Sequence, residues 1–252
     1  MEKLKQSIQA PFRALGFEIR RLRAVEPLPP DFDPEFRKIH ELCRPFTMTS
    51  AERMFSVWQA VRYVVQNNLS GDFVECGVWR GGSSMVMAYT LLALGKTDRD
   101  LYLYDTFSGM SAPTDSDVSH SGKSAQPKFD KQQREDHNDW CYAGIEEVRK
   151  NILATGYPSA KVHLIQGKVE ETIPSQIPKT ISLLRLDTDW YESTKHEMEH
   201  LYPLLAARGV LILDDYGHWL GARKAADEYF AAKGVHPLLQ RIDYTGRMML
   251  KA

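Results

Sequence analysis

From residue 72 onward, short apolar β-leaning runs alternate with amphipathic helical stretches. That alternation limits the chain to a parallel sheet covered on both faces. The runs fall at 72–78, 101–104, 162–165, Ile181–Leu186, 210–213, 238–242 and 248–250. Helical spacing of apolar residues marks 80–94, a stretch around 142–153, then 193–205 and 222–232. Asp243-Tyr244-Thr245-Gly246 joins the last two runs as a hairpin-like turn, so that pair is antiparallel. The expected class is α/β: seven strands, mostly parallel, with a terminal antiparallel hairpin. A chain of 252 residues can build one such domain around a substantial core.

Upstream, residues 1–24 are basic, and Leu4, Ile8, Phe12, Leu15 and Ile19 recur at helical spacing. A helix packed on its own domain or on a second subunit is expected, which makes self-association the working expectation. A weak basic stripe is not enough for stable attachment to an anionic membrane. Glu26-Pro27-Leu28-Pro29-Pro30 reads as an extended linker. Residues 1–46 are therefore read as a helical extension and linker, and 47–252 as the main domain. Thr49 and Glu52 have capping-box spacing ahead of a helix that ends near Asn67. The polar stretch 109–140 has no sustained period, and a loop of that length inside a compact domain is read as a lid.

Two apolar strands end in paired acids: Ile181–Leu186 runs into Asp187-Thr188-Asp189, and 209–213 into Asp214-Asp215-Tyr216. In open α/β sheets ligands bind at the carboxyl ends of strands. Like charges ~4 Å apart repel by about 4 kcal/mol at an effective dielectric near 20, so protonation or a cation must offset them. An all-oxygen set favours a hard cation, Mg²⁺ before Zn²⁺. Spacing alone leaves open which of Asp187 and Asp189 would bind metal and which would take a proton.

A second motif, Glu75-Cys76-Gly77-Val78-Trp79-Arg80-Gly81-Gly82-Ser83, follows the first strand and opens a helix. Its spacing differs from the dinucleotide pattern G-x-G-x-x-G. Gly77 and Gly81 permit tight turns and close approach, and Ser83 lies where a helix N-terminus offers free N–H groups. Glu75 suits an ammonium group better than a phosphate, which favours the methionine end of S-adenosylmethionine. Asp105 stands where acids bind ribose hydroxyls, and Gln166 where such folds flank an adenine.

The order G-D-F-V-E-C-G-V-W-R-G-G-S (71–83), L-Y-D-T-F-S-G-M (103–110), R-L-D-T-D-W-Y-E-S-T (185–194) and D-D-Y-G (214–217) resembles the macrocin O-methyltransferase family over about residues 47–252. The resemblance implies a Rossmann-like class I methyltransferase that uses S-adenosylmethionine and Mg²⁺ on sugar hydroxyls of natural products. It implies Asp187, Asp214 and Asp215 as metal ligands and Asp189 as general base. Donor contacts would come from Glu75, Gly77, Ser83 and Asp105. The acceptor would be a small-molecule glycoside hydroxyl, one of a vicinal pair. A catechol-like phenol acceptor, or a nucleotide-binding oxidoreductase, are the rival readings.

Composition narrows the partners. A formal net charge of -1 carries no nucleic-acid footprint, and no apolar run approaches the ~18 residues of a membrane span. Three unpaired Cys and no signal-peptide core fit reduced thiols in the cytoplasm. His196 and His200 sit opposite the apolar face of their helix and are expected to be solvated. His218, His120 and His137 are weaker candidates for acceptor contact. Trp190, Tyr191, Tyr216 and Trp219 could stack on a sugar or simply pack. Arg185, inside an apolar strand, is expected to pair with a carboxylate.

Overall fold

The computed structural model describes residues 28–252. The chain divides into two compact units, Met1–Phe32 and Asp33–Ala252. In the first, the described residues make a turn in which the Phe32 N–H donates to the Pro29 carbonyl at 3.1 Å. The helix expected at 1–24 lies outside the described residues. Among the described residues, no helix is long and apolar enough to cross a membrane.

The second unit holds one seven-stranded sheet in the order β3-β2-β1-β4-β5-β7-β6. The strands are β1 (Asp72–Cys76), β2 (Leu101–Asp105), β3 (Val162–Gln166), β4 (Ile181–Leu186), β5 (Leu205–Leu213), β6 (Gln240–Arg241) and β7 (Arg247–Leu250). The first five are parallel and β7 pairs antiparallel with both β5 and β6. The expected fold class is what forms. From β1 the chain steps outward to β2 and β3, then returns to lay β4 on the other side of β1. That reversal opens a crevice at the carboxyl ends of β1 and β4. All six residues of β4 are buried, as expected of a central parallel strand covered on both faces.

Local chemistry moves several boundaries. β1 ends at Cys76 because Gly77 takes a left-handed φ of 82°. The helix expected at 193–205 stops at His200, and Tyr202–Leu204 form a single 3-10 turn. Pro203 lacks the N–H that a continuing helix needs. β5 therefore starts at Leu205, earlier than expected. Helix α1 (Pro34–Cys43) precedes α2 (Ala51–Gln66), whose N-cap is Ser50 rather than Thr49. The Ser50 hydroxyl accepts from the Arg53 N–H at 3.1 Å, while the Thr49 hydroxyl pairs with Thr47 at 3.0 Å.

The largest departure lies at 109–140. The stretch is folded rather than irregular: it contains a helix, Gln126–Gln132, and short bridges, including Ser119 to Trp219. Asp117 is fully buried and anchors it, accepting from the Thr114 N–H at 2.6 Å and the Tyr191 N–H at 2.8 Å. Trp140, Trp190 and Trp219 form a small core of their own with Ala125 and Ala222. Burial per side chain, not periodicity, stabilises this segment, so a search for repeats passes over it.

Candidate active site

The carboxyl ends of β1, β2, β4 and β5 open into a cavity of about 450 Å³, lined among others by Gly77, Asp105, Asp187, Asp189 and Asp215. Four stretches far apart in sequence converge there because parallel strands all end on one edge of the sheet. Asp187, Asp214 and Asp215 each bring a carboxylate oxygen to within 4.8 Å of the others. Asp214 lies just behind the wall, fully buried, and lines a smaller recess with Asp189 and Asp215.

Two arginines organise these acids. Arg185, 2% exposed, reaches Glu75 at 2.5 Å, Asp187 at 2.8 Å and Asp214 at 2.7 Å. Arg53, from the first turn of α2, pairs with Asp214 and, at 3.1 Å, with Asp243 in the β6–β7 turn. Glu75, Asp187 and Asp214 thus share two guanidinium groups, while among the described residues Asp189 and Asp215 have no ion-pair partner. Burial pushes Asp187 and Asp215 well above the usual carboxylate range; repulsion from neighbouring acids adds to it at both, and Arg185 opposes it at Asp187. Asp215 Oδ2 is buried with no hydrogen-bond partner among the described residues. Surplus negative charge, an unpaired oxygen and an all-oxygen donor set fit a hard divalent cation such as Mg²⁺.

Asp189 stands apart from the other acids. Its φ is 70°, in the left-handed region that Asp tolerates better than most residues. Burial raises its carboxyl to about 7, partly opposed by a hydrogen bond from Asp215. An acid poised there can hold or release a proton near neutral pH.

The glycine-rich loop borders the same cavity, and its members divide. Gly77 and Ser83 line it, as does Asp105. Asp105 Oδ2 accepts from the Val78 and Trp79 N–H groups at 2.7 and 3.0 Å, and Oδ1 from the Phe107 N–H at 2.7 Å. A carboxylate has lone pairs to spare for hydroxyls beyond these. Glu75 is not in the cavity wall: it is 1% exposed, held by Arg185 and by the Ser84 hydroxyl. Its two oxygens are already engaged within the protein, one by Arg185 and the other by Ser84. Gly81 is also outside the wall, and a Cβ there would meet Ile152 Cδ1 at 2.8 Å, so its small size serves packing on helix Ile145–Leu153. Gln166 is exposed, while its neighbours Gly167 and Lys168 line the cavity.

A family model described as Macrocin-O-methyltransferase (TylF) matches residues 29–251. The chain belongs to this family. It is 33% identical over 218 residues to 8-demethyl-8-(2,3-dimethoxy-alpha-L-rhamnosyl)-tetracenomycin-C 4'-O-methyltransferase of Streptomyces olivaceus, covering 86% of this chain and 80% of that one. It is 34% identical over 200 residues to demethyldecarbamoylnovobiocin O-methyltransferase of Streptomyces niveus, covering 79% and 73%. The solved O-methyltransferase NovP superposes with a TM-score of 0.72 at 32% identity, with 82% of each chain covered. The macrocin-O-methyltransferase family member described here is accordingly an enzyme, an O-methyltransferase with the class I fold.

In this enzyme the glycine-rich loop and the carboxylate loop touch. The Asp187 N–H donates to the Cys76 carbonyl at 2.8 Å. A Cβ on Gly77 would lie 2.6 Å from the Asp187 carbonyl carbon and overlap its oxygen. Gly77→Ala is therefore expected to cost more than the ~1–2 kcal/mol of a left-handed φ alone, and to lower kcat by displacing Asp187. Urea unfolding beside turnover measures both, and wild-type values in each would remove the constraint.

Sequence reading missed several residues. Arg53 sits on a helix that carries no motif, and only tertiary contact shows that it meets Asp214. Lys128, from the helix at Gln126–Gln132, lines the cavity with its ammonium 3.7 Å from the Trp140 ring centroid. Of the three candidate histidines, His218 lines the cavity; His120 packs edge-on against it at 5.4 Å, and His137 pairs with Asp136 and Asp139. The face carrying His196 and His200 is not simply solvated: His196 Nε2 meets the Ile173 carbonyl at 2.9 Å, and the neighbouring Glu197 is fully buried.

Proposed function

We propose that the enzyme transfers a methyl group from S-adenosylmethionine to a sugar hydroxyl of a glycosylated natural product, with Mg²⁺ bound by Asp187, Asp214 and Asp215. The observation that carries this reading is the convergence of those three acids and Asp189 beside the Gly77 loop in one cavity. Relatives named for methylation of a rhamnosyl tetracenomycin and of a novobiocin precursor support the acceptor class.

The donor supplies a methyl group on a positively charged sulfur. Gly77, Ser83 and Asp105 border the space for it, with Gly167 and Lys168 on the adenine side. Glu75 acts from behind, holding Arg185. Bound Mg²⁺ would neutralise the carboxylates and lower the pKa of the acceptor hydroxyl. Asp189 takes the proton from that hydroxyl as its oxygen attacks, and its raised pKa makes it a better base than a free aspartate. The 109–140 segment acts as a lid: its Met110, Ser111 and Lys128 line the cavity and restrict water at the reacting centre.

Methyl transfer to glycosides with vicinal diols, followed by mass spectrometry, tests the proposal. Activity is expected to fall at least ~10²-fold with chelator and to return with Mg²⁺. Activity indifferent to chelator would retire the metal, and faster methylation of a simple catechol would retire the sugar acceptor.

A further inference from the structure

The helix Tyr191–His200 buries Ser193, Thr194, Glu197 and Met198. Glu197 is the charged type in that set, and it is fully buried. Among the described residues its Oε1 has no hydrogen-bond partner, and no ion pair reaches it. A hydrophobic residue of similar size would suit such a position better. What the carboxyl does touch is specific. Its Oε2 accepts from the Thr188 hydroxyl at 3.2 Å, and the Cys76 thiol lies beside it.

Thr188 is the residue between Asp187 and Asp189. Cys76 is the last residue of β1, whose carbonyl accepts from the Asp187 N–H. The loop is held at both ends, by Arg185 on Asp187 at 2.8 Å and by the Trp190 indole N–H on the Ser111 carbonyl at 2.9 Å, but between them the Thr188 side chain has Glu197 as its hydrogen-bond partner and Asp189 occupies a left-handed φ. Such a conformation persists only where surrounding contacts over-determine it.

We propose that Glu197 is a positioning residue that locks Thr188 against the end of β1, and so sets the spacing between the donor loop and the acids on either side of Thr188. The proposal rests on the roles given above to Asp187 and Asp189, but its geometry can be read without them. Glu197 touches no substrate. It acts through Thr188, as groups behind metal ligands commonly do at a 10–100-fold effect on affinity or rate.

The test compares Glu197→Gln, Glu197→Ala, Thr188→Ser, Thr188→Val and the Glu197→Ala/Thr188→Val double variant with wild type. Three quantities are measured: kcat, the Mg²⁺ dissociation constant by calorimetry, and amide hydrogen exchange at residues 187–190. Glu197→Ala and Thr188→Val are each expected to lower kcat about 10-fold, to weaken Mg²⁺ several-fold and to speed exchange in the loop. The double variant should be no worse than the worse single, because both remove one interaction. Glu197→Gln and Thr188→Ser, which keep an acceptor and a hydroxyl, should stay within about threefold of wild type. Thr188→Val with wild-type kcat, Mg²⁺ affinity and exchange would overturn the proposal, and so would losses that multiply in the double variant. If Glu197→Ala fails to fold, Thr188→Val carries the same decision. If wild type itself shows no methyl transfer, the functional reading fails, while loop exchange still decides the role of Glu197.

Discussion

Asp189→Asn is expected to lower kcat by about 10²- to 10⁴-fold, the range a positioned general base supplies. S-adenosylhomocysteine and Mg²⁺ should bind with near wild-type affinity. The substitution keeps the shape of the side chain and removes its capacity to take a proton. Asn also tolerates the left-handed φ of 70° at this position, so the loop should hold. Asp187, two residues earlier, keeps its contacts with Arg185 and with the Cys76 carbonyl. Single-turnover rates with calorimetry on the same preparation separate chemistry from binding. Turnover within tenfold of wild type would place the base elsewhere, and His218 would be the next candidate on the cavity wall.

The second large effect concerns stability. Arg185→Met is expected to destabilise the fold by ~3–5 kcal/mol, the usual cost of removing one partner from a buried ion pair. Arg185 is 2% exposed and serves Glu75, Asp187 and Asp214 together. Met fills the space but leaves three acids with only Arg53 nearby. Lys should recover part of the loss, since one ammonium can neutralise charge but cannot fork between three carboxylates. Urea unfolding of the three proteins orders them as wild type, Lys, Met. A Met variant within ~1 kcal/mol of wild type would mean that the acids are neutral without Arg185.

The sheet was legible in the chain because its central strands are buried on both faces and so read as unbroken apolar runs. Ile181–Leu186 is the clearest case, and Arg185 within it already demanded a buried acid. The terminal hairpin was legible from Asp243-Tyr244-Thr245-Gly246, where Asp243 accepts from the Thr245 and Gly246 N–H groups at 2.9 and 2.7 Å. The 109–140 segment was not, because its order comes from Asp117 and three tryptophans meeting partners distant in sequence.

Sequence alone determined the strand count, the alternation and the edge of the sheet to which Asp187, Asp189, Asp214, Asp215 and Asp105 belong. Each follows from local rules: period, turn chemistry and the common direction of parallel strands. Tertiary structure alone decided what each acid faces. It paired Glu75 with Arg185, set Asp214 behind the cavity wall between two arginines, and buried Glu197 beneath Thr188. The physical reason is that a carboxylate's role depends on its solvent and its neighbours within a few ångströms. Those neighbours come from strands and helices that sequence spacing does not bring together.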